Sequence, residues 1–171
     1  MSRQGLIPAA LAAAVTLTAL SIWFVPGDGR AAPDVPLETL AGDTVRLSEL
    51  EGAPVMLQFW ATTCRTCVAE MPHLKALHRE LGDDGFELVA VAMPYDPPDQ
   101  VRRMSQEKQL PYTVALDRDG AITSAFGDVR LTPTTVLINA EGRIAWQRRG
   151  ELDFDRLERE ISRMLTSTET G

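Results

Sequence analysis

The stretch Phe59–Pro72, FWATTCRTCVAEMP, holds both cysteines of the 171-residue chain, Cys64 and Cys67, where two periodicities meet. Upstream, PVMLQFW (Pro54–Trp60) is a compact, mostly apolar run that reads as a buried strand. Downstream, Val68, Met71, Leu74, Leu77 and Leu81 recur every three or four residues, the period of a helix, and Gly82 is placed to end it. Two thiols at such a junction admit three readings: a structural clasp, a metal clip or a redox pair.

Working outward, VPLETLAGDTVRLSELEG alternates around Gly42-Asp43 as a β-hairpin does. FELVAVAM (Phe86–Met93) is a second near-continuous strand, followed by the turn-like PYDPPD and a weaker helix over Asp99–Gln109. YTVALD is a short strand and Ala121–Phe126 a short helix. TTVLINAEGRIAWQRR reads as two strands around Glu141-Gly142, and Asp153 can cap a last helix carrying Leu157, Ile161 and Leu165. This order predicts an α/β fold, a mixed central sheet flanked by helices, with the hairpin as an N-terminal extension.

The N-terminus bears on the compartment, and so on what the thiols mean. After Arg3, Leu6–Val25 is a run of 20 uncharged residues that breaks at Pro26-Gly27-Asp28-Gly29. That suffices to cross a bilayer as one helix. It exceeds the roughly 7–15 apolar residues of a cleaved signal peptide. Trp23 and Phe24 stand where an interfacial aromatic belt belongs. The expectation is an N-terminal signal-anchor with a short linker over 1–32, N-terminus inside, and one exported (periplasmic) domain over 33–171. Cleavage at GRAAP, Gly29–Pro33, is the alternative, giving a soluble periplasmic protein.

Lys plus Arg is 17 and Asp plus Glu is 24, so the formal charge is −7. With both signs interspersed, nucleic acid is not expected as a partner. There is no internal repeat, and only the polar tail TSTETG is of low complexity.

In an exported protein two cysteines are by default a structural disulfide. A bridge between residues three apart closes a very short loop, however, and on loop entropy alone adds little stability. Its chemical value at a strand-to-helix junction is larger. A metal site would need further ligands. The histidines, His73 and His78, both lie on the cysteine-bearing helix, and neither is assigned as a ligand.

The segment FWATTCRTCVAEMP resembles the active-site segment of the TlpA-like thiol-disulfide oxidoreductases of the thioredoxin superfamily: an apolar strand ending Phe59-Trp60-Ala61, a Cys-x-x-Cys, then Glu70-x-Pro72. The resemblance extends to the hairpin at Gly42–Gly52, the LVAVAM strand, LTPTTVLINAEGRI and the closing helix. It implies a thioredoxin-like fold, a redox disulfide between Cys64 and Cys67, supporting roles for Trp60 and Glu70, and no cofactor. It also implies reduction of protein disulfides, such as those of apocytochromes during cytochrome c maturation or of copper-site cysteines, with a membrane or extracytoplasmic thiol donor as partner. Because Pro133 of LTPTT matches the superfamily's cis-proline, the resemblance implies a cis bond that leaves the backbone of Thr132 open to an extended substrate segment. The same motif can oxidise rather than reduce, and a non-enzymatic copper-binding chaperone on this fold is the alternative function.

Elementary chemistry is consistent with the resemblance. With Thr62 or Thr63 as N-cap, Cys64 falls in the first helical turn, where unpaired N–H groups and the helix dipole favour a thiolate. Cys64 is then the nucleophile and Cys67, one turn further in and more buried, the resolving thiol. Arg65 either adds a nearby cation or extends into water. The chain departs from the family pattern at Thr63, usually Trp, and at Arg65-Thr66, often ending in Pro. Gln58 stands where thioredoxins proper carry Asp and cannot act as a base. Glu70 is the nearest carboxylate, either a proton-transfer group or a helix-surface or capping residue. Pro72 inside the helix should kink it. A thiol peroxidase would need Thr where Ala61 stands.

Overall fold

The computed structural model describes residues 29–167 and the backbone of 24–26 and 168. Its strands are β1 (Phe24–Pro26), β2 (Pro36–Thr39), β3 (Thr44–Arg46), β4 (Val55–Trp60), β5 (Glu87–Ala92), β6 (Thr113–Leu116), β7 (Thr134–Ile138) and β8 (Ile144–Arg149). The helices are α1 (Arg65–Leu81), α2 (Pro98–Lys108), α3 (Ala121–Ala125) and α4 (Phe154–Thr168), and a 3-10 turn spans Leu47–Leu50.

The strands form one sheet in the order β1-β8-β7-β4-β5-β6-β2-β3. β4 pairs in parallel with β5 and β5 with β6, whereas β7 is antiparallel to β4. β4 is therefore central, and the cysteines follow directly from its C-terminal end. Every residue of β4 is buried, as a strand covered on both faces requires.

Because strand side chains alternate, β4 feeds two cores. Met56 and Trp60 join Cys67, Met71, Leu74 and Leu77 of α1, Val101 of α2, and Leu157 and Ile161 of α4. Val55, Leu57 and Phe59 join Leu37 of β2, Leu47, and Ile122 and Phe126 around α3. α1, α2 and α4 thus cover one face and α3 with the 3-10 turn the other. Two successive crossovers in the same direction, β4-α1-β5 and β5-α2-β6, must place both helices on one face if each is right-handed.

The hairpin β2–β3 turns at Gly42, whose φ of +96° suits glycine, and β2 docks against β6 through Glu38↔Leu116 and Thr39↔Ala115. Pro72 lies inside α1, which continues to Leu81.

The apolar run read as a membrane span, Leu6–Val25, lies up to Trp23 outside the described residues. Its last two residues differ from that expectation. Phe24 and Val25 belong to β1, an edge strand antiparallel to β8. The open edge of β8 offers unpaired backbone groups, and two residues of high strand propensity can use them as readily as helical bonds. Among the described residues no helix is long and apolar enough to cross a membrane.

Candidate active site

Cys64 and Cys67 are joined in a disulfide, with S–S 2.07 Å and Cα–Cα 5.3 Å. The local chain explains why they meet. β4 stops at Trp60, Ala61–Thr63 turns, and the Cys64 amide donates to the Ala61 carbonyl at 3.0 Å. α1 then begins, and its first turn brings Cys67 beneath Cys64.

The helix starts one residue later than Thr63 as N-cap would have it, and two later than Thr62 would. Cys64 is itself the N-cap, extended at φ −82° and ψ 101°, and its sulfur accepts the Cys67 N–H at 3.2 Å. Neither threonine caps the helix. The Thr62 hydroxyl is engaged elsewhere, donating to Oδ1 of Asp96 at 2.6 Å, while the Thr62 amide donates to Oδ2 at 2.6 Å. A sulfur in the N-cap position receives the same free amides that would stabilise an anion there. Cys64 is half-buried, and Cys67 is 1% exposed. Only the outer sulfur is within easy reach of another molecule.

Two further parts surround the pair. Pro133 is buried at the head of β7, the Thr132–Pro133 peptide is cis, and Thr132 is half-buried beside it. β7 pairs Thr134 with Phe59, which sets this loop next to the end of β4. Trp60 is 1% exposed and lies in the core beneath the site. Arg65 is exposed, so its side chain extends into solvent.

Glu70 is neither a helix-surface nor a capping carboxylate. Three residues after Cys67, it shares the buried face of α1 and is 6% exposed. Its Oε2 accepts Nε2 of Gln58 at 2.9 Å and its Oε1 accepts the Leu152 amide at 2.9 Å. Burial raises its pKa above the ordinary value, with nearby Glu151 acting in the same direction, while the Leu152 and Gln58 hydrogen bonds oppose the rise. Gln58, no base itself, orients the carboxyl that is present.

Asp96, which binds the active-site segment through Thr62, is the residue of this region that sequence reasoning missed. PYDPPD reads as a turn, and an aspartate there looks like an ordinary turn former. Its target, Thr62, is 34 positions away, and no local pattern links them. Leu152, which holds Glu70 across an 82-residue separation, gave no signal either.

The histidines make ring contacts, and His73 is also near enough to Glu70 to favour its charged form. His73 stacks on Phe154 with centroids 4.8 Å apart, and His78 meets Tyr112 edge-on at 6.1 Å. No group of three or more His, Cys, Asp or Glu able to hold a metal ion occurs among the described residues.

A half-exposed N-cap cysteine, its buried partner and an adjacent cis-proline loop can carry out thiol-disulfide exchange. Residues 27–161 match the Redoxin family. The chain belongs to that family. This redoxin is 38% identical over 135 residues to the thiol-disulfide oxidoreductase ResA of Oceanobacillus iheyensis, covering 76% of this chain and 69% of the relative. It is likewise 38% identical over 116 residues to ResA of Halalkalibacterium halodurans, covering 68% of this chain and 65% of the relative. The solution structure of a thioredoxin-like protein from Neisseria meningitidis superposes with a TM-score of 0.75 at 35% identity, covering 84% of this chain and 95% of that one. The redoxin is therefore a TlpA-like thiol-disulfide oxidoreductase with the thioredoxin-like fold, and the Cys64–Cys67 pair is its Cys-x-x-Cys.

Proposed function

We propose that this redoxin is a membrane-tethered, extracytoplasmic enzyme that reduces disulfides in other proteins. The observation that carries the reading is the disposition of the two sulfurs: Cys64 at the mouth of the site in the N-cap position, Cys67 buried beneath it. The reductive direction and the tether rest on the likeness to TlpA-like proteins and on the apolar run Leu6–Val25.

In the reduced enzyme the Cys64 thiolate attacks one sulfur of the substrate disulfide. A new S–S bond forms, the substrate's own S–S bond breaks, and its electron pair leaves on the second sulfur, which takes up a proton. Cys67, as a thiolate, then attacks Cys64 Sγ, and the first substrate sulfur departs as a thiol. The substrate gains two electrons and two protons, and the enzyme is left as the Cys64–Cys67 disulfide. Glu70, on the Cys67 face of α1 with a carboxyl that retains its proton to higher pH than a solvated one, takes part in the proton exchange of Cys67. A thiol donor on the same side of the membrane must then reduce the enzyme for another cycle.

The experiment is to trap the mixed disulfide in the native cell envelope. In Cys67→Ser the resolving step is lost, so partners should accumulate on Cys64 and be released by dithiothreitol. Partners trapped by Cys64→Ser and not by Cys67→Ser would reverse the two roles. Stoichiometric Cu(I) binding by the wild type without disulfide reduction would replace the enzyme reading with the copper-chaperone one.

A further inference from the structure

Among the described residues the two large hydrophobic side chains that stand exposed are Tyr95, at 61%, and Leu131, at 62%. Single exposed apolar residues are ordinary on protein surfaces. These two, however, lie at the same end of the sheet, in the loops that adjoin the two strands flanking β4.

Tyr95 is in the loop after β5, the strand beside β4. This loop is fastened to the active-site segment twice over: the Met93 amide donates to the Trp60 carbonyl at 3.0 Å, and Asp96 grips Thr62 through two 2.6 Å bonds. Leu131 is in the loop before β7, the strand on the other side of β4. Its carbonyl accepts the Thr134 hydroxyl at 2.7 Å, and the cis Thr132–Pro133 peptide follows it. Both side chains thus project from loops whose backbones are tied, directly or through neighbouring residues, to the end of β4.

Apolar groups exposed to water gain when a partner covers them, and a few aromatic and aliphatic anchors can carry much of the affinity at protein contacts. β5 and β7 flank β4 at about 4.8 Å each, which sets the two loops on the order of 10 Å apart. An extended peptide advances roughly 3.3 Å per residue, so that gap corresponds to about three residues. A segment whose reactive cysteine sits over Cys64 would therefore present neighbours within about two positions on either side to Tyr95 and Leu131.

We propose that Tyr95 and Leu131 are specificity-determining residues: they select an extended polypeptide whose reactive cysteine has apolar side chains close by on both sides. The inference rests on the oxidoreductase reading and names the substrate class of that site. Small disulfides, which have no such flanks, gain nothing from either residue.

The test uses the reduced full-length chain in detergent and two synthetic disulfide peptides. One carries Leu or Phe beside its cysteine on both sides, and the other carries Ser at those positions. The readout is the ratio of their second-order exchange rate constants, which cancels any general loss of activity. The wild type should favour the apolar peptide by about tenfold, the effect of partly burying two such side chains. Tyr95→Ser and Leu131→Ser should each lower the ratio, the double variant should bring it close to one, and Tyr95→Phe with Leu131→Met should restore it. The exchange equilibrium of Cys64–Cys67 with glutathione should not move, since neither residue touches the pair's relative stability. A wild-type ratio near one, or a wild-type ratio retained by the double variant, overturns the proposal. If the wild type exchanges with neither peptide nor glutathione disulfide, it is the oxidoreductase reading that fails, and the proposal with it.

Discussion

At the scale of single residues, the hydrogen bond from the Cys67 amide to the Cys64 sulfur, 3.2 Å long, is the feature with the most direct chemical consequence. An N–H aimed at sulfur stabilises a thiolate more than a thiol, and the other free amides of the first turn add to it. The Cys64 thiol should therefore titrate below the free-cysteine value of about 8.5. Alkylation rate against pH in Cys67→Ser, which keeps the amide, measures this, and an ordinary value would remove the activated-nucleophile claim. Glu70 gives a second prediction of defined sign. Burial favours its neutral form, so its folded-state pKa lies above the ordinary value of 4.5. Its contribution to stability is then fully present below that ordinary value and is lost as pH rises through the folded-state value. Glu70→Gln can keep both partners, accepting from Leu152 and donating to a flipped Gln58 amide. The stability of Glu70→Gln relative to wild type should therefore increase with pH across that window. Thermal melts giving a pH-independent difference would mean that Glu70 does not titrate there.

At the scale of elements, the β2–β3 hairpin is an addition to the sheet that must be held by packing. β2 makes only a short ladder with β6. Leu37 is the anchor, fully buried among the residues that line the α3 face. Outside, Arg46 braces the hairpin by bonding Asp34 at 2.7 Å, an exposed pair that adds little. Leu37→Ala should cost about 2–5 kcal/mol in urea denaturation, the range for a buried leucine. Because the hairpin contributes no residue to the disulfide site, exchange with small disulfides should persist in the folded variant. A loss below about 1 kcal/mol would show that the hairpin docks by its ladder and not by its side chain.

At the scale of the whole molecule, the question is how the domain is held in place. β1 is antiparallel to β8, and through the registers of β8 and β7 Phe24 stands level with Gln58 of β4. β1 thus begins at the end of the sheet that carries the disulfide. Under the tether reading, fractionation should leave the full-length protein in the membrane pellet after a high-salt wash, because a run of 20 uncharged, mostly apolar residues is not displaced by screening charge. Recovery of a soluble form beginning near Ala31 or Ala32 would identify the run as a signal peptide.

Read alone, the sequence determined the elements and the reactive pair. The apolar run ending at Trp60, the three-to-four-residue period from Val68 to Leu81 and the Cys-x-x-Cys between them are local patterns, and local periodicity is what a sequence displays directly. The order of strands and helices pointed to a mixed sheet with two covered faces for the same reason. The tertiary structure decided the surroundings of the pair. It made Cys64 its own helix cap and directed the Thr62 hydroxyl to Asp96. It buried Glu70 against Gln58 and Leu152, set Phe24 and Val25 on a sheet edge, and put Tyr95 and Leu131 in the loops of the two strands that flank β4. Each of these depends on contacts between residues far apart in the chain, which form only when β4 is flanked by β5 on one side and β7 on the other, and no periodicity along the sequence records which distant side chain a buried polar group will meet.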